Sequence, residues 1–154
     1  MRLAEIRKVQ QGGVEITPLD VLLAMYLEGA EETHRLIRAG LLPMRLVDHV
    51  AHRLSPEESD ARARGEVSFA VDASTVALEV LDDPFTPAVV VVDLIQPLVA
   101  SRAEAERIAG EVHALGRARV GTYERGGAEG RANALMKAAR EIGSPLLVEL
   151  IAVK

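Results

Sequence analysis

Two adjacent carboxylates, Asp82 and Asp83, and one imidazole, His113, are the residues of this chain best suited to act together. The acids close an alternating run, Leu78-Glu79-Val80-Leu81, and are followed at once by Pro84-Phe85-Thr86-Pro87, so a strand delivers them to a loop above the start of a helix. The histidine stands in Glu111-Val112-His113-Ala114-Leu115-Gly116, in the last turn of another helix that the glycine stops. Two acids and an imidazole meeting at one edge offer acceptors to a cation. They lack the rest of a bond-cleaving site: the chain has no cysteine, no Gly-x-Ser-x-Gly elbow, no Gly-rich phosphate loop and no zincin pair. The reading is of a non-enzyme that needs no cofactor. A plainer reading of the same residues is a loop whose acids cap the Val-rich helix and a histidine bonded inside the fold.

The remaining histidines carry less. His49 and His52 are three apart on a predicted helix, a spacing compatible with metal, but no third ligand accompanies them; with His34 they read as structural.

A chain of 154 residues accommodates one domain or two very small ones, and 49% hydrophobic residues suffice for a packed core. Its aromatics are Tyr26, Phe69, Phe85 and Tyr123, so that core is built from Leu, Val, Ala and Ile. A net charge of −5 without a long basic run argues against nucleic acid, which needs a basic surface to neutralise phosphates. The apolar runs are too short for a membrane span, and charges interrupt the first eight residues too often for a signal peptide. A cytoplasmic protein is the expectation.

The elements that must position the cluster follow in order. Leu3, Ile6 and Val9 have helical spacing before Gly12-Gly13. Thr17-Pro18-Leu19-Asp20 opens a second helix whose face carries Leu22, Leu23, Tyr26 and Leu27. A third spans 30–39, and a fourth after Pro43 presents Leu46, Val47, Val50 and Leu54. Residues 55–65 are charged and lack an apolar stripe, so they read as a linker. Val67, Phe69 and Val71 alternate as a strand, and Thr75 to Leu81 is the next. Four valines at 89–92 favour a strand by propensity, but the Thr86-Pro87 start favours a helix ended or kinked early by Pro97, and a helix is predicted. Ser101-Arg102-Ala103-Glu104 is a capping box for a helix to Leu115. A strand at 117–123, a helix at 127–142 and a buried strand at 146–153 complete the chain.

From about Leu78 onward the chain resembles the Clp protease adaptor ClpS family. The likeness rests on the strand leading into Asp82-Asp83, on Thr86-Pro87, on the Val-rich helix, on Glu111-x-His113-x-x-Gly116-x-Ala118 and on the closing Ser144-Pro145-Leu146-Leu147. The resemblance implies an α+β fold, a three-stranded antiparallel sheet packed on three helices, and an adaptor that binds the first residue of other proteins, the N-degron. It assigns Asp82, Asp83 and His113 to the substrate's α-amino group, with Asp82 where the family has asparagine and Pro84 in place of a second aspartate. It assigns Thr86, Ala88, Val91, Leu94, Ala109 and Val112 to an apolar pocket for the side chain. Ala88 and Ala109 stand where the family has larger residues, which implies a wider, less selective pocket. Docking on the N-domain of a Clp-type AAA+ ATPase is implied for Glu129 and Arg131, with Gly126 where the family has an acid.

Ile16 to Met25, Leu36-Ile37-Arg38-Ala39-Gly40 and Leu46-Val47 resemble one repeat of the Clp N-terminal domain, a family with two such repeats. Three parts are therefore expected: a Clp-N-like helical half-repeat at 1–55, a linker at 56–66 and a ClpS-like domain at 67–154. A half-repeat of this size cannot hide its apolar faces alone. It is expected to pack on the same chain, or on another copy in a homodimer, burying Leu22, Tyr26 and Ile37. The competing reading keeps the ClpS fold as an interaction or regulatory module without N-degron binding.

Overall fold

The computed structural model describes residues 29–154. The first two predicted helices, with Leu22 and Tyr26, lie outside those residues. Helix α1 occupies 29–38 and α2 Met44–His52, as the apolar spacing predicts. Between them, Gly40 at φ 73° lets Leu41 N–H return to the Leu36 carbonyl and close α1.

The expected linker is instead a helix. Residues Pro56–Arg64 form α3, because Ser55 accepts from Glu58 N–H while Glu58 reaches back to Ser55 N–H, Pro56 fills the first turn and Gly65 ends it at φ 70°. An apolar stripe is missing because what α3 buries is polar: Ser59 Oγ donates to Asp48 Oδ2 on α2 at 2.7 Å. The strand expected at 67–71 is corrected too. Val67, Phe69, Val71 and Ala73 do lay alternate side chains on the core, but the segment joins no ladder. The Asn133 side chain takes its backbone instead, accepting from Val67 N–H at 2.8 Å and donating to Val67 O at 3.0 Å. Alternation reported half-burial, which an extended strap satisfies as well as a strand does.

Strand β1, Thr75–Leu81, is central in a sheet of order β2-β1-β3, with both pairings antiparallel. Its partners are β2, Arg117–Glu124, and β3, Leu147–Ala152. Register sets Leu78 opposite Leu150 and Val80 opposite Val148, so apolar residues share one face. That face joins a core with Ile108, Val112, Leu135 and Met136, from α5 (Arg102–Leu115) and α6 (Arg125–Glu141). The four valines are helical in α4, Ala88–Ile95, and Pro97 turns the chain into a single 3₁₀ turn at Gln96–Leu98. Helix α6 begins directly on the end of β2, two residues earlier than predicted. This is the α+β architecture the sequence implies, with helices packed on a three-stranded antiparallel sheet.

A smaller core holds Leu36, Leu42 and Val47 of the helical segment together with Phe85 of the acid loop. Below it, Arg140 of α6 donates to both oxygens of Asp48, at 2.7 and 3.4 Å, and to the carbonyls of Leu146 and Pro145. The pair is closed off from solvent, with side chains 2% and 0% exposed. His52 Nε2 reaches Pro145 O at 2.8 Å, and His34 Nδ1 reaches Gly143 O at 3.2 Å. Gly143, at φ 80°, is needed twice: a Cβ there would also stand 2.9 Å from Ile37 Cγ2. Ile37 thus packs on the turn, half-buried.

A fork of two hydrogen bonds closed off from solvent is costly to break by halves. Asp48→Ala is expected to lower stability by about 3–5 kcal/mol in urea unfolding, while Asp48→Leu combined with Arg140→Met costs less than either single change. His34 adds a pH dependence. Burial pulls its pKa below the ordinary 6.5 against the pull of the Gly143 carbonyl, and the Arg38 charge lowers it further. Its Nε2 is buried without a partner. The unfolded chain then binds the proton more readily, so this contribution is complete above about pH 6.5 and is lost as pH falls below it. Amide protection across 29–54, taken relative to the intrinsic exchange rate at each pH, should fall between about pH 7.5 and about pH 5.5, less so in His34→Asn, which keeps a donor for Gly143 O and cannot titrate.

Candidate functional site

The acid corner is built where β1 leaves the sheet. Asp82 N–H donates to the carbonyl of Gly116 at 2.9 Å, tying the strand's exit to the end of α5. Gly116 can close that helix because it holds φ 83°. His113 lies one turn back, and its Nδ1 stands 3.1 Å from Asp82 Oδ1. Both side chains remain open to solvent, at 55% and 33% exposure. Strand exit and helix end therefore bring together two residues 31 apart in sequence, as a carboxylate and an imidazole at one accessible edge.

Asp83 is different. It is 4% exposed, and its carboxylate is turned into its own loop: Oδ1 accepts from Phe85 N–H and Thr86 N–H, each at 2.8 Å, and Oδ2 from Thr86 Oγ1 at 2.7 Å. Burial raises its pKa, against the pull of the Thr86 and Phe85 hydrogen bonds and of His52. Because Thr86 Oγ1 gives its proton to Asp83, it accepts from Ser144 Oγ at 2.7 Å, and Ser144 Oγ in turn accepts from Leu146 N–H at 3.2 Å. Donation runs one way from the start of β3 to the acid loop.

The family model for the ATP-dependent Clp protease adaptor protein ClpS matches residues 73–149, half of the chain. The chain belongs to the ClpS family. The match does not reach the helical segment before it, so the likeness of 3–54 to a Clp N-terminal repeat is not carried by it. Among solved structures, Agrobacterium tumefaciens ClpS2 bound to L-phenylalaninamide is similar to this chain at 25% identity and a TM-score of 0.48, covering 51% of this chain and 96% of that one. No curated protein matches.

The positions that ClpS resemblance assigns to a pocket fall in three places. Thr86, Val91, Ala109 and Val112 are buried, the last three inside the main core. Ala88 is exposed at the first residue of α4. Leu94 lines a cleft of about 440 Å³ between the end of α4 and the small-residue face of α6, with Pro97, Gly126, Gly130, Arg131 and Ala134 among its walls. Glu129 pairs with Arg125 at 3.1 Å; Arg131 donates to Gly127 O at 3.0 Å and stacks its guanidinium 4.6 Å from the Tyr123 ring centre. Sequence reasoning missed this cleft. Its signal was legible as Gly126, Gly130, Ala134 and Ala138, four apart along one helix face.

His49 Nδ1 lies 3.2 Å from Leu54 O, so it and His52 both face backbone carbonyls. Among the described residues, no helix is long and apolar enough to cross a membrane. The ionisable network that sequence reasoning did not single out is Asp48-Arg140, which joins residues 92 apart and leaves no local pattern.

The geometry separates two roles for Asp83. As a cap it needs an acceptor oxygen more than a charge. Asp83→Asn keeps that oxygen for the two amides and should cost less than about 1 kcal/mol, whereas Asp83→Ala strands both amides and should cost about 2 kcal/mol or more in urea unfolding. An equal loss from the two substitutions would show that the charge itself is what the loop requires.

Proposed function

We propose that this member of the Clp protease adaptor family recognises the free N-terminus of other proteins and links them, without enzymatic activity, to a Clp-type AAA+ protease. The observation that carries the reading is the solvent-open Asp82-His113 pair, 3.1 Å apart at the exit of β1. An α-ammonium is a compact cation with donors in several directions, so it suits a carboxylate and an imidazole nitrogen that converge. Internal lysines are poorer mimics, because their ammonium ends a long stem. In this reading Asp82 and His113 meet the amine, and Asp83 holds the loop that presents them. Thr86, Ala88, Val91, Leu94, Ala109 and Val112 remain the proposed surroundings of the substrate's first side chain.

We assign docking on the ATPase N-domain to Glu129 and Arg131 of α6. The division into a helical segment, here ending near residue 55, and an adaptor domain at 67–154 belongs to the same proposal. So does a Clp-N-like origin of that segment, with docking in cis or in a homodimer.

Calorimetry tests the reading. Short peptides that begin with Leu or Phe should bind, their N-acetylated forms should not, and His113→Ala should weaken only the free-amine set. Because Ala88 leaves the start of α4 uncrowded, Ile-starting peptides should fall within about tenfold of Leu-starting ones. Equal or absent binding by free and acetylated peptides would sink the proposal. A second reading, an interaction module without N-degron binding, is favoured by the burial of Asp83 and of four pocket positions; docking on a Clp ATPase N-domain without peptide binding would select it.

A further inference from the structure

Phe85 is an anomaly of the acid loop. Its backbone N–H is capped by Asp83, next to the helix-opening Thr86-Pro87, yet its ring joins the apolar cluster of the helical segment and not the core under the sheet. It is 5% exposed and packs with Leu36, Leu42 and Val47, with Ile37, Leu41, Met44 and Leu46 around them. Among the described residues, it is the one member of that cluster from outside 29–54.

The same helical segment is fastened a second time. Asp48, His34 and His52 bind the turn at 143–146 through Arg140, Gly143 O and Pro145 O. Ser144 of that turn bonds Thr86, and Thr86 bonds Asp83. The segment therefore touches the loop directly through one ring and indirectly through one hydroxyl chain. The Asp83 carboxylate sits where the two routes meet, next to Asp82.

We propose that Phe85 is a positioning residue that couples the helical segment 29–54 to the acid corner, so that docking of the segment holds the Asp82-His113 pair in its binding geometry and release of the segment relaxes it. The ring acts through the loop backbone. Anchored between α1 and α2, it keeps the amides of Phe85 and Thr86 on Asp83, which fixes the direction in which the chain leaves Asp82. Coupling of this kind is reciprocal, so a ligand held at the corner must also tighten the segment. A partner that pulls the segment away would lower the affinity of the corner without touching it. The consequence for peptide affinity rests on the adaptor reading; the coupling itself does not.

The decisive variant is Leu36→Ala, in the segment and distant in sequence from the corner. Amide exchange in the full chain without peptide should then quicken at Phe85 and Thr86 by about tenfold or more, together with 36–47, while Leu78 and Val80 in the central strand stay protected. Phe85→Ala should do the same at Thr86, and Phe85→Leu, which refills the cluster, should restore protection; this conservative variant also serves if Phe85→Ala fails to fold. Faster exchange in 36–47 with the two loop amides unchanged would overturn the coupling. In calorimetry with a free-amine Leu peptide, Leu36→Ala should bind about tenfold more weakly than wild type, and peptide should slow exchange across 29–54 in wild type but not in Phe85→Ala. Equal affinity in Leu36→Ala would overturn the positioning role. Absence of wild-type binding would instead remove the adaptor reading, and the exchange measurement would still decide the coupling.

Discussion

A carboxylate buried at a chain reversal has to be satisfied from within the protein, and Asp83 meets this demand with two backbone amides and one hydroxyl. The rest of the arrangement follows from that requirement. The two amides fix the bend that starts α4 at Ala88, although four valines in that helix would otherwise favour a strand. The hydroxyl commits Thr86 to accept from Ser144, which commits Ser144 to accept from Leu146 at the head of β3. One buried carboxyl group thereby aligns the first strand's exit, the fourth helix's start and the last strand's beginning.

The same bend aims Phe85 away from the main core and into the helices before it. Two cores result, one under the sheet and one between α1, α2 and the acid loop. The buried Asp48-Arg140 fork ties the helices that carry the smaller core to α6, which lines the main one. Removing Asp83 from solvent also sorts the neighbouring acids. Asp82, one residue earlier, stays open beside His113, and the adaptor chemistry we assign to the corner falls on that pair.

Much of this was legible in local pattern. The helix at 88–95 followed from Thr-Pro and from Pro97, the Ser101 cap started α5, alternation located β1, and the closing apolar run located β3. Local pattern failed where backbone or side chain found an unexpected partner. Residues 56–64 look like a linker because their buried contact is a serine, yet Ser55 and Glu58 carried a capping box that should have been weighed. Residues 67–71 look like a strand because they alternate, but the Asn133 amide takes the place of a ladder. At the corner, adjacency suggested that Asp82 and Asp83 act alike. Their opposite exposures depend on which way the loop turns, and side-chain spacing does not encode that.

By itself the sequence determined, among the described residues and apart from 56–71, the kinds of element and their order, together with the family motifs that join acids, Thr-Pro and histidine. These are properties of neighbours along the chain, governed by helical and strand periods and by capping chemistry. The tertiary structure alone decided which acid is open and which is buried, where Phe85 goes, and that Asp48 finds Arg140 across 92 residues. Those outcomes are set by desolvation and by hydrogen-bond partners that exist only once distant segments have met, so no local spacing contains them.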